Sequence, residues 1–217
     1  VIILFDLGVM VLLVRVLRHR GLPAARLLLY AANPLVIVFS AGEGHLDVVQ
    51  VFFLGIGCVL LLRRKIAGGA MALGIAVMSK YLSAVAAPFL MGRGNGVKPL
   101  AVFVPLLLFV PYLDAGWGIF GSLAEFGAAM HYNDSIAAVF RNSLGPAALP
   151  ALGSLLFLCL AWVFLSVDDP LHSVYLAVGC VLLFLPTLHP WYLVLIAPFL
   201  CVFPSRAWLY LQAAVLF

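Results

Sequence analysis

The chain is apolar over almost its whole length, and this property limits it to very few folds. Of its 217 residues, 66% are hydrophobic and 9% are charged. A water-soluble domain of this size cannot cover its surface with so few polar groups. The apolar runs are long enough to cross about 30 Å of hydrocarbon, and they lack the alternation of a membrane barrel. We therefore predict an all-α, polytopic bundle of transmembrane helices.

Four short polar clusters interrupt this apolar background. Ionisable groups at membrane depth are costly and usually mark function. The clusters are therefore the first candidates for a functional site. They are GEGHLD at residues 42–47, SKY at 79–81, HYND at 131–134 and LHPWY at 188–192.

The basic residues between the apolar runs predict the orientation, because Lys and Arg are enriched in cytoplasmic loops. The run at residues 66–91 has two interpretations: a single crossing, or a hairpin of two short helices that turns at residues 79–81. The hairpin leaves all of the twelve Lys and Arg residues except Lys80 and Arg141 in the cytoplasm, whereas a single crossing leaves more of them outside. We prefer the hairpin, which places all four polar clusters on one extracytoplasmic face.

Two features predict irregular structure within the bundle. Pro34 has no backbone N–H to donate, so the Asn33-Pro34 pair predicts a kink or a restarted helix. An outer loop at residues 114–145 carries apolar residues at spacings of three or four, as in a helix that lies in the interface and covers a site. These apolar residues are Trp117, Ile119, Phe120, Leu123, Phe126 and Met130.

We expect a single transmembrane domain over residues 1–217. Both ends lie inside apolar runs, so we interpret the chain as a fragment truncated at both ends. Besides the hairpin, we expect apolar segments at residues 1–17, 22–41, 46–62, 99–113, 146–166, 171–187 and 193–203, and a helix from Ala207.

Glu43 and Asp47 are the candidate catalytic residues. Carboxylates beside a membrane cavity can accept a proton from a hydroxyl nucleophile or bind a cation. The two share a helix face if the helix of the 46–62 segment begins early enough to include Glu43, whereas the adjacent glycines favour a loop. The alternative role is that of an ordinary solvated loop at the membrane boundary.

The other clusters supply candidate substrate contacts. The Lys80 ammonium suits an anionic phosphate of a lipid-linked ligand, or else it snorkels to the headgroups. His189 and Tyr192 can contact substrate, although Trp and Tyr also form interfacial belts without chemistry. Asn133 belongs to a segment that forms either a sugar-contacting edge or a plain loop. The other polar members of this segment are His131, Asp134, Ser135 and Arg141.

Metals, cofactors and nucleic acids are not expected as partners. The four cysteines stand singly in apolar runs, which predicts packing rather than disulfides or metal binding. The basic residues fall in short clusters rather than along one face, so the net charge of +4 does not predict nucleic-acid binding. One metal site is chemically acceptable, but no ligand spacing supports it; it comprises Glu43, His45, Asp47 and His189.

The order of these motifs resembles a known family. Asn33-Pro34-Leu35 is followed by Gly44-His45-Leu46-Asp47, by a run that ends in Arg63-Arg64-Lys65 and by a Gly/Ala-rich stretch that reaches Ser79-Lys80. This pattern resembles the membrane core of GT-C fold glycosyltransferases, in particular the bacterial polyprenyl-phosphate-mannose-dependent mannosyltransferases. The segments at residues 133–135 and 189–192 also fit it.

The resemblance implies a function and a set of roles. It implies transfer of a sugar from a polyprenyl-phosphate donor to a lipid or glycan acceptor, on the extracytoplasmic side of the bacterial inner (plasma) membrane. It also implies an acidic base in a first outer loop that this chain lacks, with Asp6 either near that site or simply a buried hydrogen-bonding residue. Within the chain, Lys80 is then the cation for the donor phosphate and Asp47 or Glu43 the carboxylate. The further substrate contacts are His45, His189, Tyr192 and Asn133.

A proton- or ion-coupled secondary transporter is the alternative function. It would use Glu43, Asp47, Lys80 and the Asn33-Pro34 break as an ion pathway. The absence of a visible sequence repeat and the crowding of the polar clusters on one face favour the transferase.

Overall fold

The computed structural model describes residues 1–91, 107, 110–121 and 131–216. Within these ranges every element is helical and no β-strand is formed, so the predicted all-α class is confirmed. The N-terminal elements are α1 (Ile2–His19), a 3-10 turn (Ala24–Leu27), α2 (Leu28–Ala31), α3 (Pro34–Val36), a π-helical turn (Ile37–Gly42), α4 (Asp47–Leu62), α5 (Ile66–Ser79), a 3-10 helix (Tyr81–Ala86) and α6 (Ala87–Met91).

The C-terminal elements pack against this first group. Their most deeply buried part is the 190–202 stretch, in which Leu193, Ile196 and Leu200 have no exposed surface. The elements are a 3-10 helix (Val110–Phe120), α7 (Ser135–Leu144), a 3-10 turn (Gly145–Ala147), α8 (Ala148–Ser166), α9 (Pro170–Phe184), a 3-10 helix (Pro190–Leu195), α10 (Ala197–Val202) and α11 (Arg206–Ala214).

The predicted break at Asn33-Pro34 is present. The helical segments on its two sides are bent by 52°, and the Asn33 side chain caps the new helix by accepting from the Leu35 N–H at 3.0 Å. Asn33 Nδ2 also donates to Gln212 Oε1 at 2.6 Å, and Gln212 Nε2 donates to the Leu193 carbonyl at 3.1 Å. Two buried amides therefore tie the break to α11 and to the 190–195 helix.

The 66–91 run forms the preferred hairpin. α5 ends at Ser79, and Lys80 is extended with φ −158° and ψ 131°. Beyond the turn, the Phe89 ring packs against Phe164 with centroids 5.9 Å apart, close to the C-terminal end of α8. That end of α8 leads directly to Asp169, at the basic end of the bundle, so the chain has turned back at Lys80.

One end of the bundle is basic. Arg20 donates two hydrogen bonds to the Asp169 carboxylate, at 2.6 and 2.9 Å, and Arg26 donates to the Val202 carbonyl at 3.2 Å. Burial alone would raise the pKa of Asp169, but the hydrogen bonds and charge of Arg20 hold it below its usual value. These contacts bring the 168–170 link to the same end as the 18–26 link, whose arginines were predicted to be cytoplasmic.

The outer region differs from the sequence prediction in one respect. Residues 135–144 were expected in a loop, yet they form α7, which is terminated by Gly145 with a φ of 53°. α7 packs back against α8, because Ala137 and Leu152 belong to one buried cluster. In the described ranges, the stretch Ile136–Ser166, which contains α8, is long and apolar enough to cross a membrane, and the bent pair Ala24–Ala31 with Pro34–Gly42 qualifies if it counts as one span. The polar 131–134 cluster is therefore followed by a helix that covers part of α8, rather than by a loop.

Two other predictions fall mainly on undescribed residues. The interfacial helix was expected around Trp117–Met130, of which residues 122–130 are not described. Trp117 itself lies in the Val110–Phe120 helix and is 89% exposed. The expected span at residues 99–113 is described only at 107 and 110–113.

Candidate active site

An ion pair joins the first two polar clusters. Asp47 is the first residue of α4, and Lys80 lies at the tip of the hairpin formed by α5 and α6. Lys80 Nζ donates to Asp47 Oδ1 at 2.6 Å, with 4% of the Asp47 side chain and 29% of the Lys80 side chain exposed. The ammonium is therefore directed to a buried carboxylate, rather than away from the bundle as a snorkelling lysine would be.

Tyr192 brings the fourth cluster to this ion pair. Lys80 Nζ lies 4.3 Å from the centroid of the Tyr192 ring, a distance at which the face of the ring attracts a cation. Gln50 Nε2 donates to the Lys80 carbonyl at 3.1 Å and holds the backbone of the turn. The Lys80 side chain is thus oriented by Asp47 and Tyr192, while Gln50 holds its main chain.

A stack of four rings connects the first, third and fourth clusters. His45 stacks on Trp191 with centroids 4.4 Å apart. His189 also stacks on Trp191, at the same distance. Tyr132 stacks on His189 at 5.4 Å. Stacked rings at these distances pack favourably and hold one another in place. The stack places three of the four predicted clusters side by side.

Glu43 lies apart from the ion pair. Its side chain is 52% exposed, and its Oε2 is 2.9 Å from His45 Nε2. Because α4 begins only at Asp47, Glu43 remains in the preceding turn, where Gly44 has a φ of 71° that favours glycine. Of the two alternatives for Glu43 and Asp47, the shared helix face is not formed, and the loop that the glycines favour is present.

Hydrogen bonds to main-chain groups connect the third cluster to the fourth. The Leu188 N–H donates to the Tyr132 carbonyl at 2.7 Å, and Asn133 Nδ2 donates to the Leu188 carbonyl at 3.4 Å. Arg141 pairs with Asp134, and this hydrogen bond and charge hold the pKa of Asp134 below its usual value. Asn133 therefore lies at the site, with part of its amide engaged by the backbone.

Several buried polar residues were missed by the sequence analysis. Gln50 and Ser83 are almost fully buried beside Lys80, and in the described structure Gln50 Oε1 and Ser83 Oγ have no hydrogen-bond partner. Asp6, which the sequence did single out, accepts a hydrogen bond from Tyr30 Oη at 2.7 Å, as a buried hydrogen-bonding residue would. The signal that could have identified Gln50, Ser83 and Gln212 is that each is a single polar residue inside an apolar run.

The acidic and histidine side chains form separate pairs rather than one cluster. Glu43 faces His45, and Asp47 faces Lys80. Among the residues that the structure describes, no three His, Cys, Asp or Glu side chains are grouped so that they could hold a metal ion. The arrangement thus offers a cation, an accessible carboxylate and aromatic surface at one end of the bundle.

Comparison with known proteins covers the part of the chain that holds Asp47 and Lys80. Residues 1–93 match the family model described as Alpha-(1->6)-mannopyranosyltransferase, N-terminal domain. Alpha-(1->6)-mannopyranosyltransferase A of Corynebacterium glutamicum is 31% identical over 83 residues, which are 38% of this chain and 17% of that protein. The chain thus matches less than a fifth of the length of this curated relative. No solved structure gives a significant match. Over its matched N-terminal region the chain is mannosyltransferase-like, as its resemblance to GT-C fold enzymes predicted.

Proposed function

We propose that the complete protein transfers a sugar, with mannose as the first candidate, from a polyprenyl-phosphate donor to a lipid or glycan acceptor. The observation that carries the proposal is the convergence of Lys80, Asp47 and Tyr192 with the four-ring stack at one end of an apolar bundle. The similarity of residues 1–93 to mannopyranosyltransferases supports the reaction class.

The location of the site follows from the same proposal. The protein is an integral membrane protein of a bacterial inner membrane, with the site on the extracytoplasmic side, opposite the basic end of the bundle. The outer face of α8 supports this placement, because Leu149, Phe157 and Trp162 are each more than 60% exposed and require an apolar environment.

The geometry supports a division of roles. The acceptor hydroxyl oxygen forms a bond to the anomeric carbon, the bond from that carbon to the phosphate oxygen breaks, and the polyprenyl phosphate leaves with the electron pair. Lys80 neutralises the leaving phosphate, and Asp47 positions Lys80. Of the two candidate carboxylates, Glu43 is the accessible one. We assign the hydroxyl proton to Glu43, with His45 beside it, in place of the outer-loop acid that the family resemblance implies. His189, Tyr192 and Asn133 contact the substrates.

A donor assay tests the proposed reaction. Membranes that contain the complete protein should transfer radiolabelled mannose from polyprenyl-phosphate mannose, and Glu43→Gln should lower the rate by roughly 10²-fold or more, because general base catalysis is lost. Asp168→Asn, at the opposite end of the bundle, is the matched control and should retain the rate. Direct use of a nucleotide sugar would overturn the donor assignment. Ion-coupled uptake without transfer would favour the transporter.

A labelling experiment tests the orientation. In a background without the four native cysteines, Ser79→Cys and Ser205→Cys should react with an impermeant thiol reagent from opposite sides of the membrane, because Ser79 lies beside Lys80 and Ser205 precedes α11 at the basic end. Labelling of both positions from the same side would show that the proposed topology is wrong.

A further inference from the structure

A cavity separate from the Lys80 site lies towards the basic end of the bundle. It has a volume of about 580 Å³ and lies between α1, α4 and the stretch that contains α10. Its walls are almost entirely apolar, with Leu13, Leu54 and Phe199 among them. The cavity does not include Lys80, Asp47 or any member of the ring stack, so the proposed transfer reaction leaves it unexplained.

Basic side chains line one side of this cavity. Arg15 and His19 are one helical turn apart on α1, and Arg63 follows directly after α4. Arg20 also borders the cavity, but its charge is balanced by Asp169. Within the described ranges, neither Arg15 nor Arg63 forms an ion pair with an acidic side chain. An apolar space therefore adjoins two uncompensated guanidinium groups.

We propose that this cavity binds an anionic phospholipid, with one acyl chain inside the cavity and the phosphate held by Arg15 and Arg63. Guanidinium groups bind phosphate oxygens through paired hydrogen bonds. Basic pockets between helices on the cytoplasmic side of a membrane are suited to anionic lipid headgroups. A free phosphate ion would leave the apolar walls unused, and a sugar would lack polar partners on them.

The proposal goes beyond sugar transfer and needs only the membrane location. The donor lipid is assigned to the end that holds Lys80, whereas this cavity borders the arginines of the opposite end. The bound lipid comes from the cytoplasmic leaflet and fills the space between α1 and α4, so it stabilises the contact between these helices in the folded protein.

Lipid competition tests this site without any activity measurement. The complete protein in detergent receives equal amounts of phosphatidylglycerol and phosphatidylcholine, and native mass spectrometry counts the retained lipids. Phosphatidylglycerol should be retained in preference by roughly tenfold. The Arg15→Gln/Arg63→Gln variant should lose this preference. Arg18→Gln removes a nearby charge that does not border the cavity, and it should retain the preference.

A second variant tests the acyl-chain part of the site. A Cβ on Gly55 would be 3.4 Å from Leu12 Cδ1, an ordinary contact, so Gly55→Leu extends into the cavity and should abolish lipid retention while all arginines remain. Thermal unfolding in phosphatidylcholine alone shows whether each variant is folded. Equal retention of the two lipids by the wild type, or equal loss of preference in Arg18→Gln, would overturn the proposal. Neither result would bear on the donor assay.

Discussion

Replacing Lys80 by Met should lower the turnover of sugar transfer by roughly 10²-fold or more, because the leaving phosphate loses its cation. The same change should also destabilise the protein by roughly 3 kcal/mol, because Asp47 is left buried without a partner. Asp47→Leu should lower the stability by a comparable amount, since Lys80 then lacks its carboxylate partner. The loss of stability follows from the 2.6 Å contact between the two side chains, and the loss of turnover follows from the proposed role of Lys80 at the phosphate.

The double variant separates catalysis from stability. Lys80→Met combined with Asp47→Leu removes both charges, so its thermal unfolding midpoint should return close to that of the wild type while turnover remains low. Lys65→Met, an exposed lysine at the opposite end, is the matched control and should change neither quantity. Wild-type turnover in Lys80→Met would remove the phosphate-binding role. A double variant whose loss of stability equals the sum of the two single losses would show that the pair is not coupled.

Gln212→Leu should destabilise the protein by roughly 2–4 kcal/mol. The Gln212 side chain is 2% exposed and bonds both Asn33 and the Leu193 carbonyl. Leucine leaves these two buried groups without their hydrogen-bond partner, which costs more than the net strength of the bonds themselves. Thermal unfolding of the purified protein measures the change.

Gln50→Leu is the matched comparison for Gln212→Leu. Gln50 is equally buried, but it makes one bond, to the Lys80 carbonyl, and its Oε1 has no partner within the described structure. Leucine therefore removes one bond and one unsatisfied oxygen, and its cost should be less than about 1 kcal/mol. Its main effect should be lower turnover through a less ordered turn at Lys80. A larger loss of stability in Gln50→Leu than in Gln212→Leu would contradict this account of the buried amides.

The fold was accessible from the sequence where a local rule applies. Apolar runs in a chain with 9% charged residues require helices, Pro34 breaks the helix because it lacks an N–H, and the distribution of Lys and Arg favours the hairpin at Lys80. Residues 135–144 were assigned to a loop, although they form a helix that packs against α8, because the pattern of a short, partly polar stretch does not distinguish a loop from a short helix.

The sequence by itself determined which residues are candidates for the site, because polar groups are rare and costly in such an apolar chain. Only the tertiary structure decided how they are used. In the structure, Lys80 contacts Asp47 and Tyr192. Glu43 pairs with His45 in an exposed turn, and Trp191 stacks between two histidines. The physical reason is that these partners are up to about 150 residues apart in the chain, and contacts of that range depend on how the helices pack rather than on local sequence pattern.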